Sequence, residues 1–459
     1  MQQRNVLKQF LNLGELLPAI LLLAVFTENE KNGKIRIFDK RQLQGGKMET
    51  TKGRNSDYVQ QANRSLVLQI LARNDVCTRS RIADETGLKH ATITNIITEM
   101  IQLGIVREVG IVEGKRGRRS IGIELAAEKI EVVAVKLGHV SYSIGLFDLK
   151  GKMLEVHEAK FHLEEKDPRG ALNKIKQEIW ALLKKEKDKV YAVGIAVPGP
   201  FLKKSGTIAL MTQFPGWDKI NLNKEFLEEF PVPVFIEHGA NAGALAEWRY
   251  GKYRRTQGVL VNFLAGEGIG AGIVSDGHVF GGSRGIAGEI GHISLNINGE
   301  RCDCGNRGCM ELYCSALSFV RHTVEALPAY PDSCLNGIEN ITYLEIFKGA
   351  EKGDKLCVDM VKETGFYMGC GIAAVVNIYD PDVIIISDAM SKGGDLLLNE
   401  IKKTVKDRVL DILYEKITID YTDFSVNQIL YGAAVVAIEQ LLDDVSILQQ
   451  LQDGGRQVL

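Results

Sequence analysis

Residues 291–311, GHISLNINGERCDCGNRGCME, decide how the body of this chain folds, because they gather three of its eight cysteines and a histidine into one short segment. Glycines between the cysteines let the chain turn tightly from one side chain to the next. Three thiolates and one imidazole form a closed tetrahedral set, which favours a structural zinc ion over a catalytic zinc with an open position. We therefore expect one structural Zn²⁺ per chain, held by His292, Cys302, Cys304 and Cys309.

A zinc finger that reads DNA is the alternative interpretation of this segment, and two observations disfavour it. Only Arg301 and Arg307 supply positive charge beside the cysteines, and the segment lies in the acidic part of the chain. Cys314 lies a helical turn beyond the last ligand, so we expect it to be a small buried apolar residue.

The remaining cysteines indicate a reducing environment. They are few for the length of the chain and widely spaced, so we expect no disulfide framework and predict a cytoplasmic location. These cysteines include Cys77, Cys334, Cys357 and Cys370.

Length and charge predict a DNA-binding head on a larger body. A chain of 459 residues with 45% apolar composition forms a soluble globular protein of two or three domains. Residues 48–125 contain 12 Lys/Arg and 9 Asp/Glu, a net charge of +3, whereas residues 126–459 contain 36 and 45, a net charge of −9. A basic front and an acidic body are typical of a nucleic-acid-binding head joined to a domain with another task.

Residues 1–62 are predicted to be a leader, either disordered or an upstream extension of a protein that starts at Met48. Its apolar run, Leu16–Phe26, is too short to cross a bilayer, contains Pro18 and precedes no small-residue cleavage site. We therefore expect neither a targeting signal nor a membrane partner.

Residues 63–125 follow the pattern of a winged helix-turn-helix. A first helix over Asn63–Asn74 would bury one apolar face. A second helix would begin at an N-cap, Thr78 or Ser80, and end at Gly87, and a third would follow it directly. The apolar face of the first helix consists of Leu66, Val67, Ile70 and Leu71. The inward residues of the third are Ile93, Ile96, Ile97 and Met100.

The outer face of the third helix favours DNA binding over an ordinary helical hairpin. Its polar groups suit the edges of bases, where a plain solvent face would carry more Glu and Lys. Two predicted strands then surround a Gly-rich turn whose cations suit phosphates or a narrow minor groove. The helix residues are Lys89, His90, Thr92, Thr94 and Asn95. The wing residues are Lys115, Arg116, Arg118 and Arg119.

Residues 126–459 predict an α/β body. Three alternating apolar runs over residues 131–162 indicate consecutive antiparallel strands. A helix over Pro168–Lys185 and a buried strand in VYAVGIAVPGP, residues 190–200, follow, and strand and helix signals then alternate to the end.

Three motifs in this body resemble the ROK family of bacterial repressors and sugar kinases. They are VGIAVPGP at residues 193–200, AGEGIGAGIVSDGHVFGGSRGIAGEIGH at residues 265–292, and CDCGNRGCME at residues 302–311. The family signature is GH, nine to eleven residues, then CxCGxxGCxE, and every fixed position is filled here. With a helix-turn-helix in front, the likeness extends to the xylose-repressor-like and N-acetylglucosamine-repressor-like branch. It implies a two-lobed actin-like (ribonuclease H-like) ATPase fold, in which the kinases hold sugar and ATP in the cleft.

The positions that serve phosphoryl transfer in the family are changed in this chain. A kinase needs a carboxylate to accept a proton from the sugar hydroxyl, and the matching position is Gly239. The phosphate-binding and adenosine-binding positions carry Lys136, Glu267, Ser387 and Asp388. A carboxylate aimed at a polyanion repels it, so we expect no kinase activity.

The resemblance implies that three sugar-contacting positions remain, Glu289, His292 and Glu311, with His292 able to serve zinc and sugar through different ring nitrogens. His238 stands where the family's kinases carry a sugar-contacting Asn, and we include it as a candidate sugar-binding residue. The predicted function is therefore sugar-responsive DNA-binding regulation, most simply repression of carbohydrate genes. An active hexose kinase and a ligand-blind DNA-binding protein are the alternatives.

The expected partners are double-stranded operator DNA, a small sugar or sugar derivative, and further copies of the chain as a homodimer or homotetramer. A predicted C-terminal helix, Leu430–Gln452, has a long apolar face. Packing on a neighbouring subunit and burial within its own lobe explain that face equally well.

Overall fold

The structure is a computed structural model that describes residues 56–113, 119–138, 141–161, 168–209, 216–424 and 427–452. All of them belong to one unit of the chain, Lys52–Leu459. The expected leader up to residue 55, with the suggested start at Met48, lies outside the described residues. None of the described helices is both long enough and apolar enough to cross a membrane.

The head consists of three helices and a three-stranded antiparallel sheet in the order β1-β3-β2. The predicted helix-turn-helix corresponds to its second and third helices, and the predicted wing to its last two strands. In chain order the elements are α1 (Ser56–Arg73), β1 (Cys77–Thr78), α2 (Arg79–Thr86), α3 (His90–Gln102), β2 (Val106–Glu113) and β3 (Arg119–Leu125).

The two helices of the motif are joined as the sequence predicts. Thr78 is the N-cap of α2, since its side-chain oxygen accepts a hydrogen bond from the backbone N–H of Arg81 at 3.2 Å. Gly87 ends α2 with a φ of +69°, a left-handed conformation that glycine adopts without strain. The chain therefore turns sharply into α3.

Packing of the head confirms the prediction for α3 and corrects it for α1. All four predicted inward residues of α3 are buried. In α1, however, Leu66 is 41% exposed while Leu68 is fully buried. α1 packs against both α3 and the C-terminal helices, so contacts on two sides determine which of its residues are buried.

The first lobe is a five-stranded sheet in the order β10-β7-β4-β5-β6. The three consecutive antiparallel strands and the helix over Pro168–Lys185 confirm the prediction. Its elements are β4 (Glu131–Leu137), β5 (Ser141–Asp148), β6 (Met153–Lys160), α4 (Pro168–Lys185), β7 (Val190–Val197), β8 (Phe201–Leu202), β9 (Thr207–Ile208), α5 (Leu222–Phe226), β10 (Val234–His238) and α6 (Gly239–Tyr250).

The second lobe is a five-stranded sheet in the order β13-β12-β11-β14-β15. Its strands are β11 (Val259–Ala265), β12 (Ile269–Ser275), β13 (His278–Val279), β14 (Val383–Ser387) and β15 (Thr418–Tyr421). Its helices are α7 (Glu311–Cys314), α8 (Ala316–Ala326), α9 (Tyr343–Glu351), α10 (Lys355–Tyr379), α11 (Gly394–Lys406) and α12 (Asp411–Tyr414). The chain ends in α13 (Gln428–Asp443) and α14 (Val445–Gln452).

The two sheets share one topology. In each, the first three strands in chain order are antiparallel neighbours, and the next two run parallel to the first. Such a tandem of equivalent α/β units agrees with the two-lobed body that the resemblance implies.

Helices α6 and α13 join the lobes. α6 packs on β11 and β12 of the second lobe and on α13, which packs in turn on β4 and β7 of the first. Small residues allow this close approach: a Cβ at Gly194 would lie 1.9 Å from the carbonyl oxygen of Ala433, and one at Gly272 would lie 2.0 Å from that of Ala240. A larger side chain at either glycine would push a helix off its strand.

The predicted C-terminal helix is divided at Asp444 into α13 and α14. Most of the apolar residues of α13 are buried against the chain's own lobes. Burial within the chain therefore explains the apolar face of α13.

Candidate functional site

The outward face of α3 exposes the side chains that the sequence assigns to base contacts. Four of the five are exposed and Thr92 is half-buried. Thr98 is exposed one turn after Thr94, and this residue was missed although helical spacing alone places it on the same face. The face therefore extends over more of α3 than predicted.

The wing is described in part. Arg119 begins β3, is exposed, and lies opposite Glu113 in the β2–β3 register. Lys115, Arg116 and Arg118 lie outside the described residues. Arg107 on β2 is bound to carboxylates, Glu124 at 2.6 Å and Glu128, so it is less available for phosphate contacts than Arg119.

The four predicted metal ligands converge. One donor atom from each of His292, Cys302, Cys304 and Cys309 lies within 4.8 Å of the others. Cys302 Sγ is 3.8 Å from His292 Nδ1, and Cys304 Sγ is 3.6 Å from Cys309 Sγ. This group of three thiols and an imidazole can bind a metal ion, and its donors are those that zinc prefers. Cys314 is fully buried outside the group, as predicted.

Backbone turns bring these ligands together. The backbone N–H of Cys302 donates to Asn306 at 2.8 Å, and Gly305 closes the turn with a φ of +92°. A Cβ at Gly308 would lie 1.8 Å from the carbonyl oxygen of Asn296. Gly308 is thus required by the close approach of the backbone to itself, whereas Gly305 is required by its left-handed conformation, since a Cβ there would have no neighbour within 4 Å.

Three predicted sugar contacts lie in the second lobe beside this cluster. Glu311 Oε1 is 3.2 Å from His292 Nδ1, and Glu311 Oε2 faces Gly268 in the loop between β11 and β12. Glu289 is half-buried, its Oε1 has no hydrogen-bond partner among the described residues, and burial raises its pKa to about 7. A buried oxygen without a partner can accept a hydrogen bond from a ligand hydroxyl.

His238 lies on the first lobe, at the junction of β10 and α6. It is 6% exposed, and a Cβ at Gly199 would lie 2.2 Å from its Nε2. Burial lowers its pKa, which favours the neutral imidazole. Its Nδ1 has no partner among the described residues. His238 therefore belongs to the first lobe, whereas Glu289, His292 and Glu311 belong to the second.

A polar group beside His238 was missed in the sequence. Glu237 accepts hydrogen bonds from Lys203 Nζ at 3.0 Å and from Asn241 Nδ2 at 3.1 Å. The Lys203 contact joins residues 34 positions apart, which no local pattern reveals.

The positions that the resemblance assigns to phosphoryl transfer are distributed over both lobes. Gly239 is the first residue of α6 and offers no side chain. Glu267 is exposed in the β11–β12 loop, and a Cβ at Gly266 would lie 2.5 Å from Asp388 Oδ2. Two carboxylates therefore border the loop, an arrangement that repels a polyphosphate. Lys136 is half-buried in β4, and Ser387 is buried at the end of β14.

Side chains of the head contact the C-terminal helices directly. Gln69 Nε2 of α1 donates to Glu439 Oε2 at 2.8 Å, and Ser65 Oγ donates to Asp443 Oδ1 at 3.3 Å. One apolar core contains residues of the head, of α13 and of both sheets. The head is thus packed onto the helix that joins the lobes.

Comparison with known proteins identifies relatives that match most of the chain. The ROK family model matches residues 132–440. A xylose repressor from Caldicellulosiruptor bescii is 28% identical over 399 residues, which cover 84% of this chain and 98% of that protein. The DNA-binding transcriptional dual regulator NagC from Escherichia coli K12 is 31% identical over 364 residues, covering 78% and 87%.

A solved structure shows the same architecture. The crystal structure of a ROK family transcriptional regulator, a homologue of the E. coli MLC protein, superposes with a TM-score of 0.76 at 28% identity. The match covers 86% of this chain and all of that one. This share of the chain is larger than the share occupied by residues 126–459, so the structural match includes residues of the head as well as the body.

Proposed function

The chain belongs to the ROK family, and we propose on this premise that it is a sugar-responsive transcriptional repressor without kinase activity. The head binds operator DNA, and a sugar or sugar derivative held between the lobes changes its affinity. The observation that carries the proposal is the position of α13, which packs both on α1 of the head and on α6, the other helix that joins the lobes. A change in the relative position of the lobes can therefore be transmitted through α13 to α1 by direct contacts.

The DNA partner is a double-stranded operator with paired half-sites. The polar face of α3 suits the major groove, and the cations of the wing suit phosphates. One small head gives little affinity and specificity, so we infer binding as a homodimer or homotetramer. Such a repressor acts in the cytoplasm, where its operator lies.

The ligand site combines Glu289, His292 and Glu311 of the second lobe with the wall around His238 on the first. Carboxylates and imidazole suit a sugar because adjacent hydroxyls both donate and accept hydrogen bonds. The relatives support a carbohydrate ligand, since they include a xylose repressor and, in Escherichia coli O6:H1, an N-acetylglucosamine repressor that is 31% identical.

A structural Zn²⁺ fits the donor set of His292, Cys302, Cys304 and Cys309. Binding the ion would fix the loop that carries His292 and precedes Glu311. His292 Nδ1 faces Cys302, so the Nε2 side of the ring is the one available to a ligand.

Absence of kinase activity rests on the missing proton acceptor at Gly239 and the carboxylates of Glu267 and Asp388 beside the loop. A sugar kinase would need an acceptor within hydrogen-bond reach of the reacting hydroxyl. The repressor relatives support the same conclusion.

The test begins by selecting, with the full chain, the genomic fragments that it binds. Operator affinity is then titrated with monosaccharides and sugar phosphates, and the same panel is assayed for ATP-dependent phosphorylation. We expect at least one sugar to change operator affinity about tenfold, a typical coupling between two sites, and none to be phosphorylated. Binding that no sugar changes would support the ligand-blind alternative, and phosphorylation would support the kinase.

A further inference from the structure

Two cysteines outside the 291–311 loop meet at the start of helix α10. Cys334 is exposed in the segment between α8 and α9, and Cys357 is fully buried in the first turn of α10. One oxygen of Asp354 and the two sulfur atoms all lie within 4.8 Å of one another. The proposed repressor mechanism uses none of these groups.

The carboxylate of Asp354 holds both cysteines in place. Its Oδ2 accepts the backbone N–H of Cys334 at 2.7 Å, and its Oδ1 accepts that of Cys357 at 3.0 Å and the hydroxyl of Ser333 at 3.2 Å. A carboxylate oxygen can accept two bonds, so Oδ2 retains a lone pair for a cation.

The neighbouring helix leaves space for the two sulfur atoms. A Cβ at Gly349 of α9 would lie 2.5 Å from Cys357 Sγ and 3.1 Å from Cys334 Sγ. Any other residue at this position would displace the thiols. The segment that carries Cys334 is also fixed, because Asn336 Nδ2 donates to the carbonyl oxygens of Pro331 and Ser333 at 2.9 and 3.1 Å.

The helix itself favours negative charge at this place. Cys357 is the third residue of α10, a helix of 25 residues. The positive end of the helix dipole offsets part of the negative charge of the Asp354 carboxylate, which accepts the backbone N–H of Cys357. Three groups able to carry negative charge therefore meet where the backbone partly offsets that charge.

We propose that Cys334, Asp354 and Cys357 form a second metal site, which takes the thiophilic cation Zn²⁺ with solvent at its fourth position. Two thiolates select zinc over magnesium or calcium, and the exposed Cys334 provides a path for the ion and for water. Each thiol gives up its proton to solvent as the Zn–S bond forms, so binding requires no oxidant. The site is independent of operator and sugar binding.

The zinc content of the full chain tests the proposal. The protein is purified under reducing conditions, loaded with Zn²⁺, freed of loosely bound metal and measured by atomic emission. Wild type should hold about one Zn²⁺ more per chain than Cys334→Ser. Cys370→Ser removes a half-buried thiol outside both clusters and should match wild type.

Two further variants separate this site from the 291–311 loop. Cys304→Ser removes a ligand of that loop alone, so the zinc it retains should belong to the site at α10. Adding Asp354→Asn keeps the N-cap acceptor for Cys357 but removes the charge and the acceptor for the Cys334 N–H, and should weaken zinc binding there roughly tenfold or more. Equal zinc in wild type and Cys334→Ser would overturn the proposal. So would a Cys334–Cys357 disulfide that persists in place of zinc after reducing purification.

Discussion

Glu247 lies near the end of α6, and its carboxyl belongs to a buried polar group where the lobes meet. Its Oε1 accepts hydrogen bonds from Gln428 Nε2 at 2.6 Å and from the hydroxyl of Thr422, and the same Gln428 nitrogen donates to Asn262 at 3.1 Å. Burial raises the pKa of Glu247 to about 7, although both hydrogen bonds oppose the shift. The folded protein therefore favours the neutral acid.

This shift predicts how stability depends on pH. In the unfolded chain Glu247 ionises near its ordinary pKa of 4.5, so stability falls as pH rises from about 4.5 to about 7 and is constant above that. Glu247→Gln is neutral at every pH. We expect the Tm of Glu247→Gln to exceed that of wild type at pH 8, where its free energy of unfolding should be larger by on the order of 2 kcal/mol. At pH 4 the two Tm values should differ little.

Thermal unfolding of both proteins at pH 4, 6 and 8 measures this effect. Glu325→Gln, a change at an exposed residue of α8, is the control and should show no such pH trend. A Tm difference that does not grow with pH would contradict the assignment to Glu247.

Cys304 provides the residue-scale test of the first metal cluster. Cys304→Ser should lose the zinc of the 291–311 loop and the sugar response together, because that loop positions His292 and Glu311. Zinc content and the sugar dependence of operator binding are measured on the same preparation, with Cys370→Ser as control. A zinc-depleted variant with a normal sugar response would assign the metal a purely structural role.

At the scale of elements, α3 and the wing are predicted to divide recognition between base edges and phosphates. Asn95→Ala should change base preference and cost about 1–3 kcal/mol on the preferred operator. Arg119→Ala should weaken binding to all sequences alike. It should also reduce the slope of log affinity against log salt concentration by about one, the effect of losing one phosphate contact.

Operator variants and salt titrations measured by fluorescence anisotropy distinguish these effects. Asn340→Ala, at an exposed residue of the body, is a matched control for Asn95 and should leave both properties unchanged. If Asn95→Ala and Arg119→Ala both bind the operator like wild type, the head assignment is wrong.

At the scale of the whole molecule, the contact between α1 and α13 is predicted to transmit the ligand signal. Gln69→Ala removes the hydrogen bonds to Glu439 and Asp443. We expect the sugar-induced change in operator affinity to shrink by at least about twofold, while affinity without sugar changes less.

Operator titrations with and without sugar measure this coupling. Gln60→Ala, at an exposed position of the same helix, should leave the coupling intact. Equal coupling in Gln69→Ala and wild type would show that the signal reaches the head by another route.

Local patterns made much of this protein predictable. The cap at Thr78, the turn at Gly87 and the buried face of α3 follow from interactions within a few residues. The ligands of the 291–311 loop are close in sequence, so bringing them together costs little chain entropy. The same reasoning predicted the first three strands of the body and the helix over Pro168–Lys185.

Tertiary structure decided the features that depend on distant segments. It buried Leu68 instead of Leu66, because α1 packs on the C-terminal helices as well as on α3. It also brought Cys334 to Cys357, and Gln69 to Glu439 across 370 positions. The sequence by itself determined the elements and the chemistry that each one carries. Which elements meet was decided only in the folded chain, where the burial gained by the whole core outweighs the entropy of closing long loops.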